Sequence, residues 1–327
     1  MKKIYKQTCR FLPALLALSL LSACGQSGVN KDDYIRYVSQ IKISDTAVLN
    51  EAEAFAAPAA PDNILMPSAS GEKTEKNAQA VIDYSNVSDG YVMAQYTAAT
   101  DKKLKVQVTR ETTYTYDLKP GEWTTFPLSD GSGEYKVTVF ENVVDSKYST
   151  VLSASFQASV ADEFAPFLRP NQYVNYENAP NTIAKAGEVT SGTDDALEKV
   201  TQVYEFVINH LSYDKEKAQN IQSGYLPDLD TILAGDKGIC FDYAALMTAM
   251  LRSQGIPCKL VVGYAGTAYH AWISVWSEET GWVDGAIYFD GTTWQRMDPT
   301  FISSSHGSAS IQQFVGDGNN YAPKYLY

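Results

Sequence analysis

The chain has 327 residues, a length that favours two domains. Acidic residues outnumber basic ones by 38 to 26, so the formal net charge is −12, and this balance argues against nucleic acid as a partner and against adsorption to anionic lipid headgroups. The sequence contains no Cys-x-x-Cys pair, no His-Glu-x-x-His motif and no phosphate-binding glycine pattern, so we expect neither a metal nor another cofactor.

The N-terminal residues predict export. Four basic residues stand among the first ten, and the apolar run 11–21 that follows is shorter than the ~20 residues that a membrane-spanning helix needs. The run ends in Leu-Ser-Ala-Cys, closing at Cys24, which resembles a bacterial lipobox. This resemblance implies that residues 1–23 are a signal peptide, that Cys24 carries diacylglycerol, and that the extracytoplasmic protein is held to the bacterial cell membrane by this lipid anchor only. The alternative is an ordinary signal peptide in which Cys24 has no special role.

Residues 24–77 predict a flexible tether. They are rich in Ala, Ser, Pro, Asn, Asp and Glu, with the stretch AFAAPAAPDN in the middle. Only residues 32–43 have the spacing of Tyr, Ile and Val that suggests a short helix or a docking strand. The tether would lift the folded part of the protein away from the membrane.

Residues 78–161 predict a small all-β domain. Apolar side chains recur at every second position, as in Val106 and Val108, between turn signals such as Lys-Pro-Gly and Ser-Asp-Gly. About seven short strands at this spacing are typical of a sandwich of the immunoglobulin-like type. The segment has no chemical motif, so we expect it to serve in spacing or binding.

From residue 162 to 327 the pattern becomes helical and then strand-like. The first predicted helix has Thr193 as a candidate N-cap and Asp194 and Asp195 in its first turn. Its apolar face is formed by Leu197, Val200, Tyr204, Val207 and Leu211.

A second helix is predicted over residues 240–254, closed by Gly255. Strands are predicted over 259–264, 269–276 and 281–299, the last folded at Asp290 and Gly291. Helices followed by a sheet indicate an α+β fold.

Cys240 is the candidate nucleophile, because it stands at the predicted start of a helix. The unpaired N–H groups and the partial positive charge of a helix N-terminus favour the thiolate over the thiol. The same N–H groups could hold the oxyanion of a tetrahedral intermediate.

The base for this thiol must come from three histidines. His210 lies in the first predicted helix and His306 in a Ser-rich run, and both are expected at the surface. His270 opens a strand in which Trp272 lies on the same face, so it could accept the thiol proton in a partly dry site. A structural role for a strand histidine is the competing interpretation.

A carboxylate should fix the tautomer of this imidazole. Asp298 lies on the segment that can return beside the strand of His270. Asp284 and Asp290 are rivals by proximity, although Asp290 precedes Gly291 in an evident turn.

Five motifs in order resemble the transglutaminase-like superfamily. They are GICFDYAALM around Cys240, LRSQGIP at 251–257, VGY at 262–264, HAW at 270–272 and MDPTF at 297–301, and LSYD at 211–214 is similar to a segment that often precedes the cysteine helix. The resemblance covers roughly residues 167–301. It implies a papain-like geometry on an α+β core, preceded here by the all-β domain, with Cys240, His270 and Asp298 as catalytic triad.

Two departures from the family pattern stand out. The segment between His270 and Asp298 is long and predicts an extra hairpin. Cys258 stands where a small apolar residue is common, so we expect it to be buried as a small hydrophobe.

Tyr213 is a candidate oxyanion contributor, with purely structural packing as the stronger interpretation.

The sequence therefore predicts a surface-anchored enzyme that acts on protein or peptide amides, including cell-wall-associated ones, through a thioester at Cys240. Hydrolysis, as in a peptidase or deamidase, is favoured over transfer to an amine. The alternatives are a non-catalytic binding lipoprotein with a vestigial triad and a structural cell-wall lipoprotein.

Overall fold

The computed structural model describes residues 64–277, 281–284, 287–289, 294–296 and 321–327. Cys24, with the predicted signal peptide and most of the predicted tether, lies outside these residues. Among the helices of the described part, none has the length and apolar character to cross a bilayer. The chain combines β-rich and helical regions in sequence order, as the α+β prediction requires.

Two four-stranded antiparallel sheets form the N-terminal region. The first contains, in spatial order, β1 (Thr74–Lys76), β2 (Ala80–Asp83), β3 (Tyr91–Tyr96) and β6 (Thr124–Pro127). The second contains, in spatial order, β5 (Thr113–Leu118), β4 (Leu104–Thr109), β7 (Gly133–Val144) and β8 (Lys147–Ala158). A single 3-10 turn at Val87–Asp89 precedes β3.

The predicted period of two decides which face of each strand is buried. In β4, Leu104, Val106 and Val108 are buried and the residues between them are half-exposed. The buried faces of the two sheets meet at Tyr116 and Phe126, both fully buried, whose ring centroids are 4.8 Å apart. The region is thus held by an apolar layer between the sheets, and its immunoglobulin-like type stays a prediction.

The folded region begins before residue 78, the expected end of the tether. Strand β1 pairs with β2, and the backbone N–H of Gly71 donates to Asp83 over 2.7 Å. The Ser68 N–H donates to the Tyr91 hydroxyl over 3.1 Å. These links depend on the main chain of a short polar edge strand, so the hydrophobic pattern does not reveal them.

The second region begins with two 3-10 turns and two helices. The turns are Ala165–Phe167 and Tyr176–Asn178, and the helices are α1 (Pro180–Val189) and α2 (Ala196–His210). The expectation that Thr193 is the N-cap of α2 is wrong: the Asp195 carboxylate accepts from the Glu198 N–H over 2.8 Å, while Thr193 accepts from the Asp195 N–H. The Asp195 carboxylate is the better cap because it reaches the third N–H of the helix. Its negative charge is also stabilised at the positive end of the helix dipole.

Short elements lead to the central helix. They are β9 (Ser212–Tyr213), α3 (Lys215–Asn220), α4 (Leu229–Ala234) and β10 (Lys237–Gly238), followed by α5 (Cys240–Ser253). Strand β9 pairs in parallel with β10. Helix α5 ends before Gly255, which adopts φ +77°, so the predicted helix and its stop are confirmed.

A four-stranded antiparallel sheet completes this region. Its spatial order is β13 (Gly281–Asp284), β12 (Ala268–Ser277), β11 (Cys258–Ala265) and β16 (Tyr321–Leu326), and a separate hairpin consists of β14 (Ile287–Phe289) and β15 (Trp294–Arg296). Helix α5 packs against β11 and β12. The extra hairpin expected from the sequence is present, whereas β16 was not predicted.

Tyrosines join the two regions. Tyr116 of β5 lies 5.7 Å from Tyr173 and 5.8 Å from Tyr327 between ring centroids, and Tyr173 and Tyr327 are 4.5 Å apart. The Gln172 amide exchanges hydrogen bonds with the backbone of Asp117. The β-rich region is therefore packed against the region that carries the candidate cysteine.

Candidate active site

Cys240 is the first residue of α5, as the sequence predicts. Its thiol is free and partly exposed. Ile239 before it is extended, with φ −96° and ψ 171°, so the chain turns into the helix directly at the sulfur-bearing residue. The thiol is thus placed at the end of a 14-residue helix where N–H groups lack helical partners.

The approach to this helix is fixed by a buried carboxylate. Asp242 is fully buried, and its Oδ2 accepts from the Ile239 N–H over 2.9 Å. A Cβ at Gly238 would lie 3.0 Å from the Asp242 Cβ, so a side chain at this junction would require Asp242 to shift by a few tenths of an ångström. Asp242 therefore holds the peptide that immediately precedes the cysteine.

Lys217 and Tyr225 complete the environment of Asp242. The Lys217 Nζ lies 2.5 Å from Oδ2, and the Tyr225 hydroxyl donates to Oδ1 over 2.6 Å. The Lys217 Nζ also donates to the Tyr225 oxygen over 2.7 Å. Burial, followed by the hydrogen bond to Asp242, raises the pKa of Tyr225, so its hydroxyl keeps the proton that it donates.

His270 lies in β12, opposite Gly263 of β11, and is 7% exposed. Its ring centroid is 6.2 Å from that of Trp272, which lies on the same strand face, as predicted. Gly263 leaves no space for a side chain, because a Cβ there would collide with the Ala322 oxygen and lie 2.9 Å from the Trp272 ring. The histidine is thus held in a tightly packed part of the sheet.

Tyr269 is an exposed neighbour of the candidate base. It precedes His270, and although 57% of its surface is exposed, desolvation of the remainder raises its pKa to about 12, with further contributions from Tyr325, Tyr264 and Cys240. Helix α5, which begins at Cys240, packs against β12, the strand of both residues. A direct bond between the thiol and the imidazole is a prediction rather than an observed contact.

Asp298 lies outside the described residues, as do Asp290 and His306, so the predicted third member of the triad stays a prediction. Its rival Asp284 ends β13, where it pairs with Ser274 of β12. Among the described residues, the strand that pairs with β12, the strand of His270, on the side away from β11 is thus β13.

The other predicted residues have defined places. His210 ends α2, is half-buried rather than at the surface as expected, and its Nε2 bonds to the Leu233 oxygen of α4 over 2.7 Å. Tyr213 is half-buried opposite Gly238, two residues before Cys240. Its role as an oxyanion contributor stays a prediction.

Cys258 is buried, as predicted. It is 0% exposed, its Sγ lies 3.6 Å from the Thr248 hydroxyl, and burial raises its pKa to about 11. The two cysteines therefore differ sharply in environment.

Asp242, Lys217 and Tyr225 were not predicted from the sequence. The spacing of Cys240 and Asp242 on the first turn of a helix was a signal, since acidic residues are favoured there. A surface cavity of about 410 Å³ adjoins this cluster and is lined by Lys217 and residues 220–225. Within the described residues, no group of three or more His, Cys, Asp or Glu side chains could hold a metal ion.

Known proteins resemble part of this chain. Residues 183–299 match the family model of the transglutaminase-like superfamily. The chain is 33% identical over 143 residues to the kyphoscoliosis peptidase of Mus musculus, covering 38% of this chain and 22% of the mouse protein. It is 35% identical over 99 residues to the protein-glutamine gamma-glutamyltransferase of Pseudomonas aeruginosa, covering 26% of this chain and 13% of that protein. The chain thus spans less than a quarter of either relative.

Solved structures are similar at lower identity. A candidate cysteine protease from Cytophaga hutchinsonii aligns with a TM-score of 0.36 and 16% identity, over 72% of this chain and 83% of that chain. Red sea bream transglutaminase aligns with a TM-score of 0.28 and 15% identity, over 64% of this chain and 48% of that chain. Residues 183–299 are thus the part of the chain that is similar to the transglutaminase-like superfamily.

Proposed function

We propose that residues 162–327 form a cysteine enzyme that acts on amide groups of proteins or peptides. The observation that carries the proposal is the free, partly exposed thiol of Cys240 at the start of α5, which packs against the strand of His270. The relatives are named as a peptidase and as a protein-glutamine gamma-glutamyltransferase. Both names agree with chemistry at an amide.

The proposed reaction has two steps. The Cys240 sulfur attacks the amide carbon after His270 takes the thiol proton, and the C–N bond then breaks as His270 returns a proton to the leaving amine. Water next attacks the thioester, with His270 as the base, and releases the acid and the free thiol. Asp298 would hold the imidazole in the tautomer that this exchange needs.

The helix N-terminus would stabilise the oxyanion of each step. Backbone N–H groups at the start of α5 are fixed before the substrate arrives, and losing one such donor raises a barrier by about 3 kcal/mol. Tyr213, opposite Gly238, is close to this junction and could add a donor from the side chain.

Hydrolysis is favoured over transfer to a second amine. Transfer needs a site that excludes water around a lysine stem. Two tryptophans that could wall such a site pack against other aromatic rings: Trp272 against Tyr321, with centroids 5.1 Å apart, and Trp276 against Phe164, at 4.6 Å. The Cys240 thiol is partly exposed, which is compatible with the access of water to a thioester.

The protein would act at the outer side of a bacterial membrane. A lipid on Cys24 and the predicted tether that follows it would hold the folded regions near cell-wall or surface proteins. A net charge of −12 is compatible with this location because it keeps the body off anionic headgroups.

The test uses a glutamine-bearing protein, a fluorescent primary amine and the chain lacking residues 1–23. Ammonia release and peptide cleavage are followed together with amine incorporation. We expect hydrolysis to exceed incorporation at millimolar amine, and Cys240→Ala and His270→Asn to lower both by about 10⁴-fold.

Full activity in Cys240→Ala, or binding of the substrate without turnover in the wild type, would refute the proposal that the protein is a cysteine enzyme. Incorporation that outpaces hydrolysis and disappears in Cys240→Ala would instead identify an acyl transferase. Circular dichroism of each variant shows that the fold is retained.

A further inference from the structure

The cluster behind the candidate cysteine has an unusual charge arrangement. Asp242 is 0% exposed, and it lies two residues after Cys240 in the first turn of α5. Three donors converge on its carboxylate: the Ile239 N–H, the Lys217 ammonium and the Tyr225 hydroxyl. Hydrogen bonds from such donors favour the charged form of a carboxylate over the neutral one.

A negative charge on this carboxylate, two residues along the helix from Cys240, would oppose the nucleophile. A like charge close to a thiolate disfavours the charged form of the sulfur, and low dielectric strengthens the effect. The carboxylate nevertheless orients the Ile239 peptide, and hence the start of the helix. Asp242 can therefore orient the start of the helix without disfavouring the thiolate only if another group offsets its negative charge.

Lys217 is placed to offset it. Its Nζ contacts Asp242 Oδ2 at 2.5 Å and lies 4.5 Å from the centroid of the Tyr225 ring, with 28% of the side chain exposed. The helix that carries Lys217 is fixed to the same junction, because the Asp214 N–H donates to the Gly238 oxygen over 2.9 Å and the Asp214 carboxylate caps the helix at the Lys217 N–H. The ammonium group is therefore held by the backbone that leads into Cys240.

We propose that Lys217 is a positioning residue that neutralises Asp242, so that this carboxylate can hold the start of α5 without an uncompensated negative charge beside the Cys240 thiolate. The inference rests on the proposed role of Cys240 as nucleophile. It assigns Lys217 and Tyr225 to the electrostatics of the nucleophile and not to contact with substrate.

The elements next to α5 carry other titratable groups. On the packed elements they are Tyr269 and His270 of β12, Tyr213 of β9 and Lys237 of β10. His210 of α2 is bonded to Leu233, and Asp230 of α4 to Asn181 and Thr182. Lys237 is exposed, so Lys217 is the described lysine that makes an ion pair with Asp242.

The test measures the rate of iodoacetamide alkylation of Cys240 against pH in the full folded chain, by mass spectrometry of the cysteine peptide. Lys217→Met should move the midpoint of this profile upward by about one pH unit, the size expected of a nearby like charge. Lys217→Arg should leave it near the wild-type value. Lys215→Met, which removes an exposed lysine from the same helix, is the matched control and should not move it.

The double variant Lys217→Met with Asp242→Asn decides between charge and structure. It removes both charges, so its midpoint should return to within about 0.3 pH units of the wild type. A midpoint unchanged in Lys217→Met, or still raised in the double variant, would overturn the proposal. Should Lys217→Met fail to fold, Lys217→Gln takes its place and is judged by the same criterion.

The readout separates this inference from the proposed function. Alkylation needs no turnover, so a shifted midpoint in a chain without amidase activity would support the charge compensation and refute only the enzyme. Turnover that depends on Cys240, with no shift in Lys217→Met, would refute only the compensation.

Discussion

The difference between the two free cysteines gives a quantitative prediction about the nucleophile. Cys258 is fully buried, and burial raises its pKa to about 11. Its sulfur lies between α5 and β11, 3.6 Å from the Thr248 hydroxyl. Cys240 is partly exposed at a helix start. An alkylating reagent should therefore distinguish them.

The size of the difference follows from the thiolate populations. With a pKa of about 11, Cys258 is thiolate in about one molecule in ten thousand at pH 7. An ordinary thiol with a pKa of about 8.5 is thiolate in about 3% of molecules at this pH, which is roughly 300-fold more. Burial reduces access to Cys258 further, so we expect Cys240 to react at least about 300-fold faster.

The assay is limited alkylation with iodoacetamide at pH 7, followed by mass spectrometry of the two cysteine peptides. In guanidinium chloride, where both thiols are exposed, the two rates should agree within about threefold, and this control removes any difference in detection. Native rates within tenfold of each other, or a disulfide between the two cysteines, would show that burial and the helix start do not control reactivity.

Three further predictions address the predicted carboxylate Asp298, the predicted anchor Cys24 and the buried Arg252. Asp298→Asn should lower kcat by about 10⁴-fold with an unchanged circular dichroism spectrum, because an amide cannot hold the imidazolium, whereas Asp284→Asn should be mild; the reverse order would place the carboxylate on β13. Cys24→Ala should move the protein from the membrane to the soluble fraction with unchanged kcat/KM, since the proposed lipid on Cys24 would be the anchor, and retention after a high-salt wash would contradict this. Arg252→Met should lower the free energy of unfolding in urea by about 3 kcal/mol, because the fully buried guanidinium donates to three main-chain oxygens; a loss below about 1 kcal/mol would contradict that role.

The parts of the fold that the sequence predicts are those in which a periodic pattern coincides with burial. The alternation in β4 and the apolar face of α2 follow from side chains that must leave water, so each was visible as a period of two or 3.6. The start and stop of α5 carried their own signals in Cys240 and Gly255. The position of His270 on a strand beside Trp272 followed in the same way.

The elements that escaped prediction depend on main-chain pairing. Strand β1 contains only Thr74, Glu75 and Lys76, and β16 contains Pro323, which lacks an N–H and is tolerated because the strand lies at the edge of its sheet. Neither has an alternating pattern. Each is held by main-chain bonds to its neighbour, and such pairing leaves no local trace in the sequence.

The cluster around Asp242 shows why the chemistry of a site extends beyond its motif. Asp242 belongs to the motif that contains Cys240, yet Lys217 and Tyr225 stand 25 and 17 residues away and match no pattern. A buried carboxylate that lacked these donors would be neutralised or would destabilise the helix start, so the motif implies partners that it does not contain. This cost alone would have predicted a cation near the Asp242 carboxylate, once the carboxylate was known to be buried. Only the fold identifies Lys217, because the pairing of β9 with β10 brings α3 to the junction in front of the cysteine.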